Sequence, residues 1–192
     1  MEMRRFEKFF VNSWLINFIY KHTRYNSFLN FISKDIKGKL LEIGCGIGRT
    51  SHSLAEKYKN ASITAIDYDK DQIEIANKNK KSLKIEFMQA DATKLRFKPA
   101  SFDYAIETNV LHHIKNYGDA IKETRRVLKK NGYFYLMDIS QYVFTLPLIR
   151  YLFPPESYIT KDILIKKLEE SKFKIEGSKG RYIFFIAAKK VR

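Results

Sequence analysis

From residue 38 onward, short apolar, β-rich runs alternate with stretches of helical period, and this alternation constrains the fold more than any other feature of the chain. Strands that follow one another in this way need crossovers, which helices supply, so the pattern reads as successive βαβ units and a largely parallel sheet. The spacing predicts strands near 39–43, 62–66, 84–88, 102–107 and 132–138, with helices over 49–59, 69–81 and 118–132. The last of these helices has Asp119 near its start and Asn131-Gly132 at its end, residues that favour helix entry and exit. Each crossover is expected to be right-handed. After residue 160 the pattern changes: a helix over "TKDILIKKLEESK" leads to "FKIEG", "SKG" and "RYIFFIAAKK". Two β-rich runs joined by so short a turn cannot be parallel, so the sheet is expected to end in an antiparallel hairpin.

At 192 residues the chain suits one domain with one substantial core. It divides into an N-terminal helical cap (1–37), a core (38–140), an insert (141–160), and a C-terminal helix and hairpin (161–192). The cap carries Phe6, Phe9, Phe10, Trp14, Leu15, Phe18 and Ile19 at roughly helical spacing, then Phe28, Leu29 and Phe31. The insert, "SQYVFTLPLIRYLFPPESYIT" with its leading serine, is aromatic, proline-interrupted and aperiodic. Ordinary packing over the sheet accounts for either segment alone; together they bracket the sheet with aromatic surface. The start "MEMRRFEKFF" lacks a small-residue cleavage site. Apolar stretches meet Asn, Arg or Pro before the roughly 20 residues of a membrane helix, so a soluble, cytoplasmic protein is expected. A single cysteine, Cys45, excludes an internal disulfide framework, and the four histidines show no zinc spacing. The net charge of +15 would draw phosphate-rich partners or anionic lipid. The lysines are dispersed, however, where a binding stripe would cluster them, so the charge weights partners without choosing one.

The stretch "LLEIGCGIGRT" sets Gly44, Gly46 and Gly48 at alternate positions just after an apolar run. Such glycines serve a turn with positive φ or a close backbone approach by another molecule. A dinucleotide fingerprint needs its third glycine five positions after the first, and a phosphate loop needs a following G-K-[ST]; neither is present. Glu42, just ahead of the glycines, would repel a pyrophosphate and attract a cation.

The pattern E-x-G-x-G-x-G at a strand end resembles the first motif of the class I S-adenosylmethionine-dependent methyltransferases, and further landmarks follow in order over about residues 36–140. "ITAIDYD" ends a strand with Asp67, 23 positions after Gly44; the resemblance implies that this acid binds the two ribose hydroxyls, for which a carboxylate has two acceptor oxygens. Tyr68 would pack on adenine or face solvent. "FMQADATKL" places Asp91 and Ala92 where the family accepts from the adenine amino group. "FDYAIETNVLHHI" places Glu107, Thr108 and Asn109 beside the methionine end. Gly44 and Gly46 would let the amino-acid portion of the cofactor approach, with Cys45 between them read as a small loop residue of that site and not a nucleophile. The implied fold is a Rossmann-like doubly wound α/β sheet of seven strands, and the implied cofactor is S-adenosyl-L-methionine, with no metal.

Methyl transfer from a sulfonium asks a protein mainly to align the reactants and exclude water. A base is needed where the acceptor arrives protonated, and His112, less so His113, stands after the fourth strand where one would serve. His112 is read as base or substrate ligand, against a helix-start histidine held by backbone; Asp138 is read as orienting an acceptor, against simple capping. "ETNVL" replaces the N-P-P-Y or D-P-P-Y of exocyclic-amine nucleic-acid enzymes, and Cys45 is misplaced for cytosine-C5 chemistry. The aromatic flanks favour a small, apolar or aromatic acceptor such as a lipid or quinone precursor, with peripheral contact to anionic membrane. Methylation of RNA or of a protein through the basic surface is the less favoured alternative, and a cofactor-binding protein without catalysis the third.

Overall fold

The structure is a computed structural model in which residues 25–32, 35–145 and 158–191 are described. The expected aromatic helix from Phe6 to Ile19 and the centre of the insert lie outside the described residues. In chain order the elements are α1 (Asn26–Phe31), β1 (Gly38–Ile43), α2 (Arg49–Lys57), β2 (Ala61–Asp67), α3 (Lys70–Lys78), β3 (Ile85–Gln89) and β4 (Phe102–Thr108). A 3₁₀ turn (Leu111–His113), α4 (Tyr117–Val127), β5 (Leu128–Ile139), a second 3₁₀ turn (Gln141–Thr145), α5 (Lys161–Glu170), β6 (Phe173–Gly180) and β7 (Ile183–Lys190) follow.

The seven strands form one sheet in the order β3-β2-β1-β4-β5-β7-β6. β1 to β5 run parallel. β7 lies antiparallel to β5, and β6 antiparallel to β7. The central strand β1 is buried on both faces from Leu40 to Ile43, as a strand covered by helices on each side must be. One face packs Leu40, Ile63, Ile106 and Met137 under α1, α2 and α3 through Phe28, Leu54, Ile73 and Ala76. The other packs Leu41, Ala105, Phe134 and Leu136 under α4 and α5 through Ala120, Ile121, Leu164 and Leu168. Because β1 hands the chain outward to β2 and β3 before it returns at β4, the strand order reverses between β1 and β4. A crevice opens at the carboxyl ends of strands at such a point.

Two expected boundaries move, each for a tertiary reason. The third crossover helix stops at Val127, not at residue 132. The carbonyls of Arg126 and Val127 accept from Ala100 N and Ser101 N at 3.1 and 2.7 Å, and Leu128 already pairs with Phe102. The chain then turns through Asn131 in the left-handed region (φ 65°) and rejoins β4 at Tyr104↔Tyr133. The hairpin turn lies at Arg181-Tyr182, beyond the expected "SKG". Gly180 enters that turn with φ +87°, and a Cβ there would stand 2.1 Å from the Ile183 carbonyl oxygen, so only glycine fits.

The short helix α1 seals one end of the first face. Phe28 is fully buried and meets Phe185 of β7 with ring centroids 5.5 Å apart, while the Tyr25 hydroxyl donates to the Thr50 carbonyl at 3.3 Å. Phe28→Ala should therefore lower unfolding stability by about 3–5 kcal/mol, read in urea denaturation; a loss under about 1 kcal/mol would mean that α1 is not part of the core.

Candidate active site

The parallel pairing brings five loops to one edge of the sheet. Ile43 stands beside Ile66 and Glu107, Asp67 beside Gln89, and Thr108 beside Met137, so the segments that follow β1, β2, β3, β4 and β5 emerge together. Glu42, Gly44, Gly46, Gly48, Asp67, Asp91, Glu107, His112 and Asp138 are all carried there. Among the described residues no group of three or more His, Cys, Asp or Glu side chains is placed to hold a metal, and no helix is long and apolar enough to cross a membrane.

The three glycines have different causes. All have positive φ, at 73°, 52° and 83°. A Cβ on Gly44 would fall 2.0 Å from Val110 Cγ2, and one on Gly48 would fall 2.5 Å from Phe87 Cζ. Their missing side chains are filled by the protein itself: Val110 arrives from the β4 side across the crevice, and Phe87 from β3. The close approach expected at Gly44 is thus made by Val110, and the Gly44 amide donates to the Ile66 carbonyl at 2.8 Å. At Gly46 a Cβ would meet only Gln72 Oε1, at 3.7 Å, so this is the glycine whose surroundings remain open. Cys45 is buried, its N–H donates to the Ile66 carbonyl, and burial pushes its thiol well above the usual range, which removes it as a nucleophile.

Asp67 ties this loop to the next strand. Oδ2 accepts from Gly46 N at 2.8 Å and Oδ1 from Asp69 N at 2.9 Å, and burial raises its carboxyl above the ordinary value despite those donors. Asp69 in turn caps α3 by accepting from Asp71 N and Gln72 N. Tyr68 projects half exposed beside it. Asp91 is exposed and turns its loop by accepting from Thr93 N (2.8 Å) and Thr93 Oγ1 (2.7 Å), and Ala92 packs inward behind it.

Buried acids line the crevice on both faces of the sheet. Glu42 is fully buried, and neither of its oxygens has a hydrogen-bond partner among the described residues. Burial pushes its carboxyl up to about 7, the neighbouring Ser51 hydroxyl offsetting part of the effect and the charge of Asp67 adding to it. Glu107 is also fully buried; Oε1 accepts from Val110 N (2.5 Å) and Leu111 N (3.3 Å), while Oε2 lacks a partner among the described residues. Burial, and after it the charge of Asp138, hold its carboxyl well above the usual range. Asn109, between Thr108 and Val110, takes the left-handed turn (φ 59°) and donates its N–H to the Met137 carbonyl at 2.7 Å.

His112 and Asp138, 26 residues apart in sequence, form a buried pair. Nδ1 of His112 lies 2.5 Å from Asp138 Oδ1, and the His112 amide donates to Oδ2 at 3.3 Å. Asp138 is fully buried and also accepts from Ile139 N at 2.7 Å. It therefore clamps the histidine ring and also caps the 3₁₀ turn through the His112 amide. In a neutral ring, a carboxylate on Nδ1 favours the tautomer with its proton there. His113 packs its ring on His112 at 4.1 Å between centroids, and burial pushes its pKa down to about 3, with the adjacent His112 contributing. Val110, Ser51 and Gln72 were not singled out by the sequence: a valine in a loop and polar residues in helices carry no signal until pairing places them.

Compared with known proteins, a family profile described as a methyltransferase domain matches residues 41–136. The chain belongs to the S-adenosylmethionine-dependent methyltransferases. This methyltransferase is 32% identical over 105 residues to the fatty-acid O-methyltransferase of Mycolicibacterium smegmatis, a match covering 54% of this chain and 38% of that protein. It is 33% identical over 114 residues to the ubiquinone biosynthesis O-methyltransferase of Pelagibacter ubique, covering 56% and 46% respectively. The matched part thus spans less than half the length of these curated relatives. Among solved structures, a SAM-dependent methyltransferase from Methanosarcina mazei superposes with a TM-score of 0.70 at 27% identity, covering 87% of this chain and 98% of that one. The seven-stranded sheet with its C-terminal antiparallel hairpin is the fold of this family. The residues present fit the family's cofactor: an open glycine at Gly46, and buried, unpartnered polar atoms on Glu42, Ser51, Gln72 and Glu107, suit a polar ligand bearing positive charge.

Glu42 supplies a pH signature of the ligand-free methyltransferase. Its folded pKa lies above its unfolded one, so the associated stability is fully present below about pH 4.5 and lost as pH rises through about 7. Glu42→Gln should stabilise the ligand-free protein by about 3 kcal/mol at pH 8 and by little at pH 4.5, measured as the difference in urea unfolding from wild type. A difference that does not vary between those pH values would contradict the placement of this acid.

Proposed function

We propose that this chain transfers a methyl group from S-adenosylmethionine to an oxygen of a small, apolar or aromatic acceptor. The observation that carries the reading is the buried His112–Asp138 pair, Nδ1 to Oδ1 2.5 Å, beside the crevice between β1 and β4. The O-methyltransferase names of the two relatives support the same acceptor atom.

In this reading Asp67 receives the ribose hydroxyls, with Tyr68 against the adenine and Asp91 and Ala92 at its amino group. Glu42, Gly44, Gly46 and Glu107 surround the methionine end. When bound, S-adenosylmethionine supplies a methyl group already activated on a sulfonium. The sulfonium and ammonium charges favour ionised Glu42 and Glu107, which burial otherwise pushes toward the neutral form. His112 accepts the acceptor's hydroxyl proton at Nε2 as the oxygen takes the methyl group. Asp138 holds Nδ1–H, orients the ring and stabilises the imidazolium that forms. Neutral His113 packs against that ring and adds no charge beside it. Val110 and the Gly44 loop keep water from the line of transfer.

His112→Ala should lower turnover by about 10²–10⁴-fold, the usual worth of a positioned base, while the affinity for S-adenosylmethionine stays within about twofold. Asp67→Ala should show the opposite division, weakening cofactor binding by more than about 1 kcal/mol through loss of charge-assisted hydrogen bonds. A labelled-methyl assay on lipid, small-molecule and RNA fractions, combined with calorimetry, reads both. Full turnover in His112→Ala would remove the base, and label entering only RNA would overturn the acceptor class.

A further inference from the structure

We infer that Glu107 is a positioning residue for the methyl transfer, its side chain at the end of β4 holding the 3₁₀ turn that carries His112. This rests on the reading of His112 as the base.

The turn Leu111–His113 is three residues long, and a turn so short leaves its leading amides without partners of their own. Each is met from outside the turn. The Asn109 amide donates to the Met137 carbonyl at 2.7 Å. Val110 N and Leu111 N both donate to Glu107 Oε1, at 2.5 and 3.3 Å. His112 N donates to Asp138 Oδ2 at 3.3 Å. The His113 and Ile114 amides then close on the carbonyls of Val110 and Leu111, both at 2.9 Å. Two carboxylates from neighbouring strand ends thus take three consecutive amides, and Glu107 takes the two that lead into His112.

This arrangement bears on the base. Asp138 grips both the ring and the amide of His112, which requires the His112 backbone to stand at one place beside the end of β5. Glu107 sets that place, because Oε1 fastens the two preceding residues to the end of β4. The same contact seats Val110, whose side chain closes over Gly44. Glu107 is itself fully buried, so it serves the reaction through the turn and not by touching a reactant. Burial and the charge of Asp138 hold its carboxyl well above the usual range. What the turn needs is therefore an acceptor oxygen and not a negative charge, and an amide carbonyl offers the same acceptor. Glu107→Gln keeps that oxygen, whereas Glu107→Leu removes it at similar size.

The test compares wild type, Glu107→Gln and Glu107→Leu as full chains. Three quantities are read: the slowly exchanging Nδ1–H proton of His112 in histidine-labelled protein, affinity for S-adenosylmethionine by calorimetry, and turnover at saturating S-adenosylmethionine on whichever fraction wild type labels. In Glu107→Gln the resonance is expected to remain and turnover to stay within about threefold of wild type, whatever the lost charge does to cofactor affinity. In Glu107→Leu the resonance should vanish and turnover fall about 10²-fold, the cost of a misplaced catalytic group, while S-adenosylmethionine still binds. Glu107→Leu that keeps the resonance and the turnover overturns the inference. So does Glu107→Gln that loses as much as Glu107→Leu, since the charge would then be the requirement. Loss of cofactor binding and of cooperative unfolding together with turnover in Glu107→Leu would show a general structural role and overturn it too. Wild type that labels no fraction contradicts the proposed function instead, and a His112 resonance lost in Glu107→Leu alone would still show which residue holds the turn, so the two failures are told apart.

Discussion

The carboxyl edge of the sheet depends on Asp67. One of its oxygens holds the Gly46 amide and the other the Asp69 amide, so a single side chain at the end of β2 fixes both the loop after β1 and the entry to α3. Parallel strands leave such loops with few partners of their own, because the ladder ends where the loop begins. Here the missing partners come from a carboxylate, a valine and a phenylalanine. Asp67 supplies the hydrogen bonds, Val110 closes over Gly44 and Phe87 over Gly48. The loop is thereby rigid at both ends and open only in its middle, which is the geometry a polar ligand requires if binding is not to be spent on ordering the loop.

The same edge concentrates polar groups that an empty protein would do better without. Glu42, Glu107, Ser51 and Gln72 are buried with atoms unpaired among the described residues, and burial holds both glutamates toward the neutral form. Elsewhere the acids behave ordinarily: Asp103 accepts from Lys129 and from Lys39 N at the opposite end of the sheet, and Glu123 forks onto Arg126. Among the described residues, these unpaired atoms gather at the carboxyl edge of the sheet, and unpaired polarity in a sound core is the pattern of a place where stability is given up for binding. The His112–Asp138 pair belongs to the same edge but differs in kind, since its members bond to one another and so hold a fixed orientation.

Much of this was legible in the sequence, for reasons that separate cleanly from what was not. The strands could be read because β1, β2 and β4 are largely buried runs and their apolar content has no other use. Gly44, Gly46, Asp67 and Asp91 could be placed because each ends or follows a strand, and strand ends in a parallel sheet share an edge. The end of α4 could not be read: "VLKKNG" is good helix followed by a good stop, and the helix ends earlier because Ala100 and Ser101 take its last carbonyls. The hairpin turn falls just beyond "SKG", where Gly180 takes a positive φ and a Cβ would collide with the Ile183 carbonyl oxygen. His112 and Asp138 were visible as separate candidates, but only the β4–β5 pairing brings them within 2.5 Å. Val110 and Gln72 gave no signal, since nothing about a valine or a helical glutamine reveals what it faces.

The account stands or falls on where the cofactor lodges. Amide chemical shifts of the labelled full chain, recorded during titration with S-adenosylhomocysteine, test this directly. The account predicts saturable shifts concentrated at Gly44–Gly48, Asp67–Gln72, Asp91–Thr93 and Asn109–His113, across all the loops of one sheet edge. Shifts centred instead on the surface cleft formed by Tyr25, Leu29, Ser53 and Lys57, or no saturable shifts at all, would contradict it.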